Sequence, residues 1–129
     1  MTSLQKSCVV FLFLCLQGIC AAQSSAKEIL EVSDFNGGLV VHLGCGDGNL
    51  DLSLYNALKG KGILIHGLER NEEKVNRARA LIQKAGAYGP ITIDLFRGKK
   101  LPYAENLVNL LLVEEKSIVP ESELLRVLV

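Results

Sequence analysis

A chain of 129 residues has room for one domain, and an apolar content of 49% is enough for a core, which argues against wholesale disorder. The 14 basic and 14 acidic residues cancel, so no nucleic acid is expected as a partner held by bulk electrostatics. Aromatic residues are few and Trp is absent, which argues against a base-stacking platform as well.

Residues 1–22 read as a secretory signal peptide. Lys6 precedes the apolar run Cys8–Leu16, and small residues lead to the polar stretch Gln23-Ser24-Ser25. Cleavage is placed after Ala22, with Cys20 and Ala22 as the small residues a peptidase reads. The apolar run is short for a membrane span, so no stable span is expected after cleavage; an uncleaved N-terminal anchor is the alternative. Cys8, Cys15 and Cys20 leave with the leader and Cys45 remains, so the mature chain has no internal disulfide and rests on its core.

From residue 23 onward, Ala26 to Val32 reads as a short lead-in helix ending near Asp34-Phe35-Asn36-Gly37-Gly38. Leu39–Leu43 reads as a buried strand, β-branched and almost continuously apolar between glycines. The turn Gly44-Cys45-Gly46-Asp47-Gly48 follows. Leu50, Leu54, Ala57 and Leu58 then recur at helical spacing. Gly62–Leu68 forms a second strand that ends at Glu69. Asn71 caps the next helix, with Glu72 and Glu73 opposing its positive end. Val75, Ala78, Ile82 and Ala85 make its inner stripe, and Gly86 closes it. Strands over Pro90–Phe96 and Leu107–Val113 and a helix opened by Pro120 complete the pattern. The order predicts an α/β fold with a Rossmann-like parallel sheet and flanking helices. Ligands of such sheets bind beyond the carboxyl ends of the strands, beside the first one.

That is where the chemistry-bearing residues fall. Glycines 44, 46 and 48 permit a tight turn and let a ligand approach the backbone, and the helix start behind them offers unpaired N–H groups. Glu69, about 20 residues beyond the turn, suits hydrogen bonds to ribose hydroxyls. Asn49 stands where the dinucleotide fingerprint has its third glycine, which disfavours a nicotinamide-dependent oxidoreductase. Asp47 reads equally as a ligand contact or a helix cap. His42 and His66 read as packed strand histidines rather than bases, Cys45 as a small turn residue rather than a reactive thiol, and Arg97, Lys99 and Lys100 as a solvated loop. No zinc-ligand spacing, Ser-His-Asp arrangement or paired-carboxylate pattern stands out, so no metal is expected.

Val40-Val41-His42-Leu43-Gly44-Cys45-Gly46-Asp47-Gly48 resembles the first motif of class I S-adenosylmethionine-dependent methyltransferases. Leu101–Asn106 is similar to the loop before their fourth strand, and Leu124–Leu128 to the helix after it. The resemblance runs from about Glu28 to the end and covers the front part of that fold, about four strands; it is nearest to exported bacterial proteins in which such a domain precedes β-propeller repeats of the pyrroloquinoline-quinone type. It implies S-adenosylmethionine as cofactor, with Gly44, Cys45, Gly46 and Gly48 along its methionine part, Glu69 on the ribose, Arg70 beside the adenine, and Asp47 and Arg97 also among the cofactor-binding residues. It also implies methyl transfer to an acceptor the sequence does not name, or a scaffold that has lost catalysis. Three positions depart from the family pattern: His42, Arg97 and Asn109 each replace a common acid. Losing a charged hydrogen bond is worth about 1.5–3 kcal/mol, so weakened cofactor binding is expected. The last strand is expected to leave an open edge.

Overall fold

The computed structural model describes residues 9–11, 22–114 and 119–129, with side chains from Ala26 onward. Lys6, Cys8 and most of the leader expected over residues 1–22, Cys20 included, lie outside the described residues. In chain order the elements are β1 (Val9–Phe11), α1 (Ala22–Ser33), β2 (Gly38–Leu43), α2 (Asn49–Ala57), β3 (Ile63–Glu69), α3 (Glu72–Lys84), β4 (Ile91–Leu95), β5 (Leu110–Val113) and α4 (Glu121–Val127). The sheet is parallel, in the order β1-β5-β2-β3-β4. All four expected strands are present. The open edge expected on β5 is not: β1 lies along it, with Val9 opposite Leu111 and Phe11 opposite Val113.

The continuous apolar strands are buried on both faces, as parallel sheets require. On one face Val40, Ile65, Ile91, Ile93, Leu110 and Leu112 pack under α1, α2 and α3. On the other, Val41, Leu43, Leu68, Leu111 and Val113 pack against Leu124, Val127 and Leu128 of α4 and its exit. Local chemistry sets the element ends. Asn71 caps α3 by accepting from the Lys74 N–H at 3.0 Å, and Glu72 and Glu73 occupy the first turn. β5 is shorter than the apolar run Leu107–Val113 for two reasons. Val108 pairs with Leu128, and Asn109 is tied to β2, its Oδ1 accepting from the Leu39 N–H while its own N–H donates to the Leu39 carbonyl. Asn109 is thus a neutral clasp between strands.

The loop over residues 96–109 carries no helix and is fastened at two points. Tyr103 Oη bonds His66 Nδ1, and His66 Nε2 meets Asp94 Oδ2 at 2.7 Å. Leu101 donates its N–H to Glu123 and accepts from Arg126 through its carbonyl, while Glu123 and Arg126 pair at 2.7 Å. The Arg126 guanidinium holds the Glu123 carboxyl down near 2. Burial, then the Asp94 charge, pushes the Tyr103 phenol above its usual range, so it stays a neutral donor.

Gly44, Gly46 and Gly48 all have left-handed backbone, with φ of 77°, 61° and 83°. A methyl at Gly48 would stand 3.2 Å from Ala78 Cβ and 3.3 Å from Ile82 Cδ1 of α3, whereas one at Gly46 would meet nothing within 4 Å. Gly46→Ala should therefore cost about 1–2 kcal/mol of backbone strain, and Gly48→Ala a further about 1–3 kcal/mol of overpacking. Urea unfolding of the two variants checks this: the Gly48 variant should have the lower midpoint at unchanged slope.

Candidate functional site

The strand order reverses between β2 and β5, so the crevice at their carboxyl ends is the switch point of the sheet. The glycine turn leaves β2 there, β3 delivers Glu69 beside it, and β5 delivers Glu114, whose N–H donates to the Leu43 carbonyl. Glu69 is buried and braces the turn. Its Oε1 accepts from the Gly46 N–H and its Oε2 from the Asn71 N–H, both at 2.9 Å. A carboxylate oxygen has a second lone pair, so this bracing leaves acceptor capacity for a hydroxyl. The expected pairing of glycine turn and strand-end acid is thus a direct hydrogen bond.

Arg70 and Arg97 are also brought together. Arg97 Nε donates to the Arg70 carbonyl at 3.0 Å, and the Phe96 N–H bonds the Glu69 carbonyl, so both arginines stand exposed on the rim beyond Glu69. Asp47 is exposed, and its Oδ1 accepts from the Asn49 N–H at 3.2 Å at the start of α2. Cys45 is buried. Burial first, then the charges of Asp51, Glu69 and Glu114, push its thiol far above the ordinary range, which makes it unsuited to nucleophilic work.

Below the turn lies a cluster that the sequence did not announce. His42 is fully buried. Its Nδ1 stands 2.6 Å from Asp51 Oδ1 of α2, and its Nε2 2.8 Å from Glu114 Oε2. With a carboxylate at each ring nitrogen, both nitrogens must donate and the ring is an imidazolium. Burial opposes that charge, but Asp51 by charge and hydrogen bond, and then Glu114, outweigh it and raise the His42 pKa to about 10. Room for Asp51 is made by Gly67, where a Cβ would come within 2.9 Å of Asp51 Oδ2 and 2.6 Å of Ile93 Cδ1. Asp51 Oδ2 has no hydrogen-bond partner and no exposure.

Although position 42 itself carries no acid, Asp51 and Glu114 bring two carboxylates to it. Glu114 was findable by the rule that picked out Glu69, an acid at the end of a buried strand. Asp51 was not, because an acid in the first turn of a helix ordinarily faces water. His42 is, as expected, a packed histidine, though its partners give it a charge. A groove of 550 Å³ between α1 and α2, lined by Lys27, Glu31, Ser53 and Asn56 among others, includes none of the expected site residues.

The histidine clamp has a definite pH signature. Its folded pKa lies above the unfolded value of about 6.5, so its stabilisation is complete below pH of about 6.5 and lost as pH rises through about 10. Urea unfolding of the unaltered chain should show stability falling over that window, and His42→Gln should flatten the decline. At neutral pH, His42→Leu leaves two carboxylates uncompensated and should cost about 3–5 kcal/mol.

No family model matches the chain, and neither does any curated protein. Solved structures do. A Methanococcus maripaludis protein assigned as an S-adenosyl-L-methionine-dependent methyltransferase superposes with a TM-score of 0.71 at 20% identity, over 83% of this chain and 50% of that one. A SAM-dependent methyltransferase from Aquifex aeolicus gives 0.64 at 20% identity, over 80% and 57%. A geranyl diphosphate methyltransferase in complex with GPP and sinefungin gives 0.68 at 15% identity, over 81% and 41%. The chain therefore spans about half the length of the structures it matches. At these identities the likeness establishes architecture, and on it the chain has the Rossmann-like fold of the class I S-adenosylmethionine-dependent methyltransferases.

Proposed function

We propose that this domain binds S-adenosylmethionine in the crevice at the carboxyl ends of β2, β3 and β5. The observation that carries the proposal is the Glu69 brace. One carboxylate fixes the Gly46 amide and the entry of α3, and the side of Gly46 where a Cβ would stand is free of protein for 4 Å. That combination suits a ligand lying against the backbone while its ribose hydroxyls reach a buried acid. Gly44, Cys45, Gly46 and Gly48 would line the methionine part, with Asp47 at its outer edge. Glu69 would hold the ribose, and Arg70 and Arg97 would flank the adenine.

Charge supports the same ligand. Asp51 and Glu114 flank the His42 imidazolium and Glu69 adds a third carboxylate beside the glycine turn, which favours a ligand with a sulfonium and an ammonium group. The cofactor supplies an electrophilic methyl group when bound. The chain's part is to hold that group in line with an acceptor and to keep it there. The neighbours named for S-adenosylmethionine, and the one in complex with sinefungin, support the choice of ligand. We read residues 1–22 as an export leader and the domain as a module of a periplasmic or extracellular protein, in which β-propeller repeats can follow.

A two-dimensional amide NMR titration of the full chain with S-adenosylmethionine tests the pocket. Shifts should concentrate at Gly44–Gly48, Glu69 and Glu114. Glu69→Gln, which loses the charge and one of the two backbone bonds, should weaken binding tenfold or more, from about 1.5–3 kcal/mol for a charged hydrogen bond. A dispersed spectrum that does not move on addition of the cofactor would sink the proposal and leave a scaffold without this ligand.

A further inference from the structure

Val9–Phe11 belongs to two assignments at once. In the sequence it sits inside the apolar run Cys8–Leu16 of the leader. In the fold it is β1, paired in parallel with the innermost part of β5, whose Leu110, Leu111, Leu112 and Val113 are all buried. The edge it covers is a defined slot. Leu128 pairs with Val108 at the start of that edge, the Val108 N–H donating to Val127 and the Val129 N–H to Val108. Further along, the Glu114 N–H goes to Leu43 of β2, so by strand alternation the Leu112 N–H points towards β2 and those of Leu111 and Val113 point away from it, towards β1. An uncovered edge there would be a row of unpaired donors and acceptors beside an apolar core. The bond expected to be cut, after Ala22, also lies within folded structure: Ala22 is the first residue of α1, which docks Ala26 and Ile29 into the core.

We infer that folding withdraws the leader from export: the same segment serves either the translocation machinery or the sheet, and the chain has two exclusive fates decided by whether β1 pairs with β5 before the leader is bound. The inference rests on the reading of residues 1–22 as an export leader. Its physical basis is that a peptidase takes its substrate as an extended, accessible chain, and cleavage of a folded protein follows the population that opens. Once β1 is in the sheet and Ala22 is in α1, that population is small.

An order-of-addition experiment on the full chain separates the alternatives. Chain held in urea is diluted either directly into detergent containing a signal peptidase, or into detergent first, to refold, with the peptidase added afterwards. Cleavage after Ala22 should be at least tenfold slower in the refolded sample. Equal rates in the two orders overturn the inference while leaving the leader reading intact. No cleavage in either order, with a known secretory precursor cut in the same tube, defeats the leader reading and the inference with it. Amide exchange supplies the structural half of the test. Val10→Pro takes out of β1 an N–H that faces β5 and should speed exchange at Val113 at least tenfold, with Leu112, which faces β2, unchanged. Equal exchange at Val113 in both proteins overturns the pairing on which the inference depends.

Discussion

The constraint on which this crevice depends is the burial of a charged imidazole. His42 lies on β2 with no exposure, between Asp51 from α2 and Glu114 from the end of β5. A buried charge is tolerable only when paired and hydrogen-bonded, so each of the three groups fixes the other two. The consequence is geometric as much as energetic. The helix that follows the glycine turn is pinned to the strand that precedes it, and the strand across the switch point is pinned to both. The turn between them is therefore held at both ends by the same ring.

From that pin the neighbouring choices follow. Asp51 can enter the sheet layer only if β3 carries no side chain opposite it, and Gly67 supplies the gap, already filled to contact by Ile93, Asp51 and Cys45. The turn itself runs through three left-handed glycines, and Glu69 ties its middle to the start of α3. Gly48 lets α3 close against the turn through Ala78 and Ile82. Between Glu69 and Glu114, the two acids that end buried strands, the backbone of Gly46 is left uncovered. The crevice is thus lined by carboxylates and by a wall of backbone, and it owes both to packing demands that would exist with no ligand at all.

Most of the scaffold was legible in the sequence because parallel strands buried on both faces announce themselves as unbroken apolar runs. Leu39–Leu43, Ile63–Leu68 and Ile91–Leu95 needed no partner to be recognised, and Asn71 and Gly86 marked the ends of their helix by local chemistry. β1 was not legible as a strand. Three residues carry no period, and the segment satisfies the pattern of a leader equally well. The start of β5 was misplaced because Val108 and Asn109 look like strand residues, yet one pairs with Leu128 and the other spends its side chain on Leu39. Of the site, the glycine turn and Glu69 were visible because spacing along one βαβ unit brings them together, and Arg70 and Arg97 were named only through the family resemblance. The partnership of His42 with Asp51 and Glu114 was invisible, since Glu114 lies 72 residues away and only the sheet order places β5 beside β2.

The departure at position 42 then reads differently from a loss. A carboxylate there would face Asp51 and Glu114, three like charges in a dry site, which repel and would force at least one to protonate. A histidine makes both acids tolerable and keeps Glu114 at the mouth, where it is 28% exposed and can meet a cation. The exchange moves negative charge from the floor of the crevice to its rim while conserving its sign. Asn109 is a different case, because its Oδ1 only accepts the Leu39 N–H, a bond that a carboxylate oxygen could accept as well. Its side chain crowds the left-handed Gly38 and secures the start of β2. Position 42 therefore carries a charged clamp between two acids, whereas position 109 carries a neutral clasp between two strands.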